Sequence, residues 1–303
     1  MNIRRLGGGP IVFPEMDETL GENINGPSLI RVPDWVKNPL GRYYLYFGHH
    51  QGRFIRLAYS DLVEGPWRIF REGALKLSQT PCTDHIASPD ARVDDENRRI
   101  VMYYHGVALK PREAKRDRLT KQFPFLGGQR TLAAASSDGM NFTSFPQIIG
   151  PGYCRFFFWS GYHYALCMPG LFFRSLDGLK DFEQGPTLFN KHMRHAAVKV
   201  VGRTLFVFFS IVGDYPEHIV LSKIDLGSDW SDWRESPPVS ILKPEEDYEG
   251  AGLKLEKSVR GEATDKVRQL RDPFVFEDGG HFYLIYCVAG ESGIAVAEIS
   301  DLF

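Results

Sequence analysis

The stretch Tyr43-Tyr-Leu-Tyr-Phe47, answered by Ile55 to Ser60-Asp61-Leu62, decides the fold, because its plan occurs five times along the chain. An aromatic-rich apolar strand is followed by a second strand that ends in Asp and then Leu or Gly. The plan recurs in Val101-Met-Tyr-Tyr-His105 with Thr131 to Asp138-Gly139, and in His163-Tyr-Ala-Leu-Cys167 with Leu171 to Asp177-Gly178. It returns in Phe206-Val-Phe-Phe-Ser210 with Ile219 to Asp225-Leu226, and in Tyr283-Leu-Ile-Tyr-Cys287 with Ile294 to Asp301-Leu302. Between Asp61 and Asp301 the mean interval is 60 residues, so five units fill the 303 residues. Self-similarity at such a period marks a repeat architecture.

Outward from each aromatic strand, another strand precedes it: Ser28 to Val32, Asp90 to Val93, Arg155 to Trp159, Ala196 to Val200 and Pro273 to Phe276. After the Asp, an aromatic at Trp67, Phe142, Phe182 and Trp230 or Trp233 marks a fourth, outer strand. Four short strands per unit predict an all-β protein, a five-bladed β-propeller with 1–303 as one domain; a β-sandwich is the plainer alternative. The fifth unit reaches Phe303 without its fourth strand, which would leave an open edge. Pro10-Ile-Val-Phe13 is expected to close the ring beside Ile294 to Glu298. Residues 107–130 and 240–270 break the period. The run Lys110 to Lys121, mixed in sign, reads as a solvated loop, whereas the aromatic and acidic stretch Lys243 to Gly252 reads as functional.

Composition narrows the function. Lys and Arg total 36 against 38 Asp and Glu, a formal charge of −2, and no basic block is present, which argues against non-specific nucleic-acid binding. The apolar runs are strand-length, so no membrane span is expected. The start, Met1 to Pro10, lacks the apolar core of a signal peptide, which makes the cytoplasm the expected compartment. Cys82, Cys154, Cys167 and Cys287 are scattered without zinc-site spacing and read as buried thiols.

In a propeller the residues that open the innermost strands converge on one channel mouth. Here they are Asn25-Gly26-Pro27, Ser88-Pro89-Asp90, Tyr153-Cys154-Arg155, Arg194-His195 and Arg271-Asp272-Pro273. A polar set of this kind suits a small carbohydrate, which needs directional hydrogen bonds and an aromatic face, expected from Trp159 or Phe157. Asn25, His85, Arg155, Trp159, Arg194, His195 and Arg271 are the candidate substrate-binding residues. Asp61, Asp138, Asp177, Asp225 and Asp301, used alike in every blade, read as turn residues.

Ser88-Pro89-Asp90-Ala91 and Arg271-Asp272-Pro273-Phe274, together with Ser60-Asp61-Leu62 and then Trp67, resemble the five-bladed glycosidases of the glycoside hydrolase family 43 and family 32 superfamily. The resemblance covers nearly the whole chain. It implies a glycoside hydrolase with a base from blade one, a tuning Asp from blade two and an acid Glu from blade three. Asp90 matches the second position; Asn25-Gly26-Pro27 and Tyr153-Cys154-Arg155 offer no carboxylate at the first and third. The catalytic candidates are therefore Asp90, Asp272 and Glu249. Asp272, beside Arg271 and other cations, is expected to stay ionised as the base. Glu249 is expected to fold over the mouth as the acid, with His195 or His85 as alternatives, and the spacing to give inversion. No cofactor is required, and a structural calcium ion in the channel stays open. Two other functions fit the same residues: a glycoside phosphorylase that holds phosphate on Arg155, Arg194, His195 and Arg271, and a non-catalytic carbohydrate-binding propeller.

Overall fold

The computed structural model describes residues 1–227 and 229–301; Leu302 and Phe303, which end the fifth unit, lie outside the described residues. Strand β1 (Asn2–Arg5) comes first in the chain and last in the ring. Blade one contains β2 (Asn25–Arg31), β3 (Tyr43–Gly48), β4 (Phe54–Ser60) and β5 (Arg68–Lys76). Blade two contains β6 (Ile86–Asp94), β7 (Arg99–Val107), β8 (Gln129–Ser136) and β9 (Thr143–Ser144). Blade three has β10 (Cys154–Trp159), β11 (Tyr162–Cys167), β12 (Leu171–Ser175) and β13 (Glu183–Thr187). Blade four has β14 (Met193–Val201), β15 (Thr204–Ile211), β16 (Ile219–Asp225) and β17 (Val239–Leu242). Blade five joins β18 (Arg271–Asp278), β19 (His281–Cys287) and β20 (Ile294–Ser300) to β1. The protein is a five-bladed β-propeller, and no helix among the described residues is long and apolar enough to cross a membrane.

The aromatic strand does not alternate because both its faces are covered. In β3 every residue is buried. Tyr44 and Tyr46 pack with Met102 and Tyr104 of blade two, while Tyr43, Leu45 and Phe47 pack with Phe274, Ile285 and Val296 of blade five. Similar clusters fill the other three interfaces, so each blade's apolar surface is covered by its neighbours. The Asp-Gly turns serve the same joint. Tyr46 Oη donates to Gly139 O at 2.7 Å, and Tyr103 Oη donates to Gly178 O at 2.9 Å, each across to the next blade. At Gly139, with φ +75°, an added Cβ would lie 2.9 Å from the Tyr46 hydroxyl, so glycine is needed for both conformation and approach. Asp138 accepts the backbone N–H groups of Met140 and Asn141, and Asp177 those of Leu179 and Lys180, as turn residues do.

Three details differ from the sequence reading. The ring is closed by β1, paired from Asn2↔Ser300 to Arg5↔Ala297, and not by Ile11 to Phe13; Val12 makes only a single bridge to Ile294. Gly7 to Gly9 and Pro10 break the strand there, and Val12 instead enters the core fully buried. Cys154 and Cys167 are not free thiols. They face each other across β10 and β11 with Cα atoms 4.0 Å apart and form a disulfide, a pairing that only the strand register brings about. The mixed-charge run Lys110 to Lys121 forms two short helices, α1 (Pro111–Arg116) and α2 (Arg118–Gln122), with Asp117 capping the second through Thr120 N.

Candidate active site at the channel mouth

Each blade sets one residue within or just before its innermost strand in the left-handed region: Gly26 (φ +59°), Ser88 (+47°), Tyr153 (+56°), His195 (+51°) and Asp272 (+46°). In four blades the pairing register slips at this point, between Asn25 and Ser28, Ala87 and Asp90, Arg194 and Ala197, and Arg271 and Phe274. Such bulges re-aim a side chain, and non-glycine residues hold positive φ only where their surroundings over-determine it. The five residues ring the axis. A Cβ on Gly26 would lie 2.8 Å from Ser88 Cα, the Tyr153 ring lies 4.9 Å from that of His195, and His195 Nδ1 lies 3.1 Å from Asp272 Oδ1.

This ring revises the blade-two assignment. Its member is Ser88, and Asp90 lies two residues further along the strand. There the fully buried Asp90 carboxylate accepts Phe156 N at 2.7 Å and pairs with Arg92 at 3.0 Å, tying blade two to blade three. Asn25 stands one residue before the ring, with its amide on Asn23 and Glu291. Blades one to three therefore present Gly, Ser and Tyr, and none of the three carboxylates that the resemblance implied.

Arg155 is the hub of the channel and not a ligand donor. Its guanidinium donates to Ala196 O of blade four (3.0 Å), Pro27 O of blade one (3.4 Å) and Pro89 O of blade two, and lies 5.6 Å from the Phe274 ring of blade five. The Pro27, Pro89 and Ala196 carbonyls that face the channel thus already serve a cation.

The titratable groups gather on blades four and five. Burial and the negative charge of Glu291 push the Asp272 carboxyl up to about 6, against the pull of Arg194, Arg155 and Arg271. The direction is opposite to that expected from its cationic neighbours, because desolvation outweighs them. Burial, then Arg194 and Arg271, hold His195 well below the ordinary histidine range. The 3.1 Å contact between the two is therefore not an ion pair, since each is driven towards its neutral form. Glu291 behaves in the opposite way. Burial would raise it, but the hydrogen bond and charge of His50, the charge of Arg271 and the amide of Asn23 hold it at about 2.

Glu291, Glu217, His50 and Asn23 were missed in the sequence. Glu291 and Glu217 stand in the hairpins that join the second and third strands of blades five and four, which return to the mouth. Glycine or proline flanks both acids, at Gly290 and Gly293 and at Pro216, so an acid inside such a hairpin was a readable signal. Tyr153 is half-buried there, its ring between those of His105 (4.2 Å) and His195, and His85 lies 5.8 Å from His105. Trp159 does not take that place. It ends β10 at the opposite end of the blade and donates to Leu226 O at 3.1 Å.

Residues 258–269 form a lid over this mouth. Ser258 N bonds Asp214 O of blade four, Val267 N bonds Ala289 O of blade five, and Glu262 receives Gln51 Nε2 from blade one. Arg260 lies 4.1 Å over the Phe125 ring of the other insertion. The 240–270 segment thus does cover the mouth, but Glu249 is not in the covering part. Fully buried, its carboxylate accepts from Arg5 (2.9 and 3.0 Å), Tyr286 Oη (2.8 Å) and the Glu245 and Glu246 backbone, which engages both of its oxygens. Open cavities of about 320 and 340 Å³ lie elsewhere, beside Arg53 and Arg71 and beside Arg5 and Glu245.

Solved structures share this architecture. A family 43 β-xylosidase/α-arabinofuranosidase from a compost metagenome, in complex with xylotriose, aligns with a TM-score of 0.63 over 98% of this chain and 95% of that one, at 13% identity. A family 43 enzyme from Xanthomonas citri gives 0.61 over 96% and 90%, at 12% identity, and an α-L-arabinofuranosidase from Lactobacillus brevis gives 0.55 over 93% and 92%, also at 12%. At such identities the likeness is one of fold. No protein-family model matches the chain. Sequence relationship instead links it to uncharacterized protein R118 of Acanthamoeba polyphaga mimivirus, 35% identical over 311 residues that cover 91% of this chain and 83% of that protein, and the chain belongs to that protein's family.

Proposed function

We propose that the protein is a glycoside hydrolase whose acid–base groups sit on blade five, beside His195 of blade four, instead of on blades one to three. The observation that carries this is the pair Asp272 and Glu291, two buried carboxyls whose surroundings push them apart, to about 6 and about 2. Glycoside hydrolysis needs one carboxyl protonated and one ionised. Asp272 gives its proton to the leaving oxygen as the glycosidic bond breaks, and Glu291, kept ionised, stabilises positive charge that develops at the sugar. Water then adds to the anomeric carbon, and its proton returns to the Asp272 carboxylate. Tyr153 offers the face on which the sugar lies. With Glu249 away from the mouth, its expected spacing from Asp272 no longer bears on stereochemistry.

A panel of aryl glycosides and of xylo- and arabino-oligosaccharides, the ligand and substrate classes of the fold relatives, tests this reading. Hydrolysis is expected, with kcat/KM falling as pH rises through about 6, where Asp272 loses its proton. Activity that keeps rising through that range removes Asp272 from the acid role. A second reading, a carbohydrate-binding propeller without turnover, is favoured by Gly26, where blade one has no room for a base. Saturable sugar binding with no product from any substrate selects it.

A further inference from the structure

We infer that the mouth is built to bind an oxyanion, a carboxylate or phosphate group, and that two lid carbonyls occupy its place in the closed state. The inference rests on the site proposed above and adds the class of ligand. Arg194 of β14 and Arg271 of β18, each 2% exposed, converge on the lid. Arg194 Nη1 lies 3.0 Å from Val259 O and its Nη2 lies 3.1 Å from Gly261 O, while Arg271 Nη1 reaches the same Gly261 oxygen at 3.2 Å. The fork of Arg194 thus grips two oxygens side by side, the arrangement in which guanidinium binds carboxylate or phosphate.

The present occupants are weak ones. A carbonyl oxygen carries partial charge only, and a buried cation is better matched by a full negative charge. Glu217 lies between the two arginines, but its oxygens are 3.6 Å from each Nε, while the Nη groups meet the lid carbonyls. Its Oε1 accepts from Ser210 Oγ, and its Oε2 has no hydrogen-bond partner. Arg271 also pairs with Glu291 at 3.0 Å, so the Arg194 fork is the freer of the two. The lid is tied down at Ser258, Arg260, Glu262 and Val267, but its turn around Val259 and Gly261 is open. Val259 is 68% exposed, and Gly261, at φ +108°, has open space around it. An open turn of this kind shifts locally, so exchanging two neutral acceptors for one anion displaces it.

The test is calorimetric binding to the full chain of methyl glucuronide, methyl galacturonide, their neutral glucoside and galactoside counterparts, and inorganic phosphate. Tryptic cleavage after Arg260 reads the lid. At least one uronide is expected to bind tenfold or more tightly than its neutral counterpart, or phosphate to bind, with faster cleavage at Arg260. Uronide preference places the anion on the sugar; phosphate binding with phosphate-dependent turnover makes it a co-substrate. Equal affinity for anionic and neutral sugars, with no phosphate binding, overturns the inference. So does a preference that survives in Arg194→Gln. Should that variant fail to fold, Arg260→Ala keeps both buried guanidiniums while loosening the lid, and must strengthen anion binding; unchanged or weaker binding rejects the site. Anion binding without turnover leaves this inference standing and removes the hydrolase reading, whereas turnover of neutral glycosides without anion preference does the reverse.

Discussion

Blades one to three and blades four to five share one backbone device and use it differently. All five set a residue at positive φ against the axis. On blades one and two that device has gone over to packing, and on blade three it presents the Tyr153 ring. Gly26 abuts Ser88, while two residues beyond the device Asp90 ties down the backbone of the next blade and Arg155 seals the channel. On blades four and five the same device holds His195 and Asp272 among three arginines and two further acids, with one acid site and one histidine nitrogen lacking hydrogen bonds. The bulge is thus architecture, and chemistry follows from which residue each blade puts there.

The widest test of this contrast is a pair of substitutions. Asp272→Asn should lower kcat by about 10²- to 10⁴-fold, the usual worth of a positioned proton donor, with the melting temperature held or raised. Ser88→Ala, at the matching position of blade two, should change kcat only a few-fold. Equal losses in the two would break the division between the blades. Next comes the plug. Arg155→Leu strands the Pro27, Pro89 and Ala196 carbonyls in an apolar channel, and a loss of about 3–5 kcal/mol in urea unfolding is expected. A near-neutral result would mean that the channel does not depend on this cation. Smaller again is Gly26→Asp, which restores a carboxylate to blade one. The new Cβ meets Ser88 Cα, so about 1–3 kcal/mol should be lost and no activity gained. A gain in rate would show that blade one is still a working position.

Much of the fold was legible because its physics is local and repeated. Strands such as β3, buried on both faces, must be apolar throughout, and Asp-Gly turns must dock under a tyrosine, so the period survives in the sequence. The site was less legible because it depends on phase within the strand. Asp90 and Ser88 are two residues apart, and only the bulge decides which one faces the axis. The sign of the Asp272 shift was hidden for another reason. Neighbouring arginines are visible in a sequence, whereas burial and the approach of Glu291 from a distant hairpin are not. Glu249 misled because an acid beside a tyrosine fits a lid as well as it fits a buried anchor, and its partner Arg5 lies at the other end of the chain.

The smallest effect tests that hidden coupling directly. In the folded protein Asp272 stands at about 6 against an ordinary 3.8, so its contribution to stability is complete below 3.8 and lost as pH rises through about 6. Glu291 stands at about 2 against an ordinary 4.5, so its contribution is complete above 4.5 and lost as pH falls through about 2. The two slopes oppose each other, and the folded state is best served between them. Glu291→Gln removes one slope altogether and takes away the charge that helps to hold Asp272 up. The apparent Asp272 value, followed by carboxyl carbon NMR, should then fall by about one unit, and the alkaline limb of kcat/KM should move down with it. The urea midpoint should also vary less with pH than in the parent protein. An Asp272 titration that stays at about 6 in this variant would leave burial as its sole cause. The two carboxyls would then be neighbours without being a catalytic pair, and only the contrast in residue identity between the two groups of blades would remain.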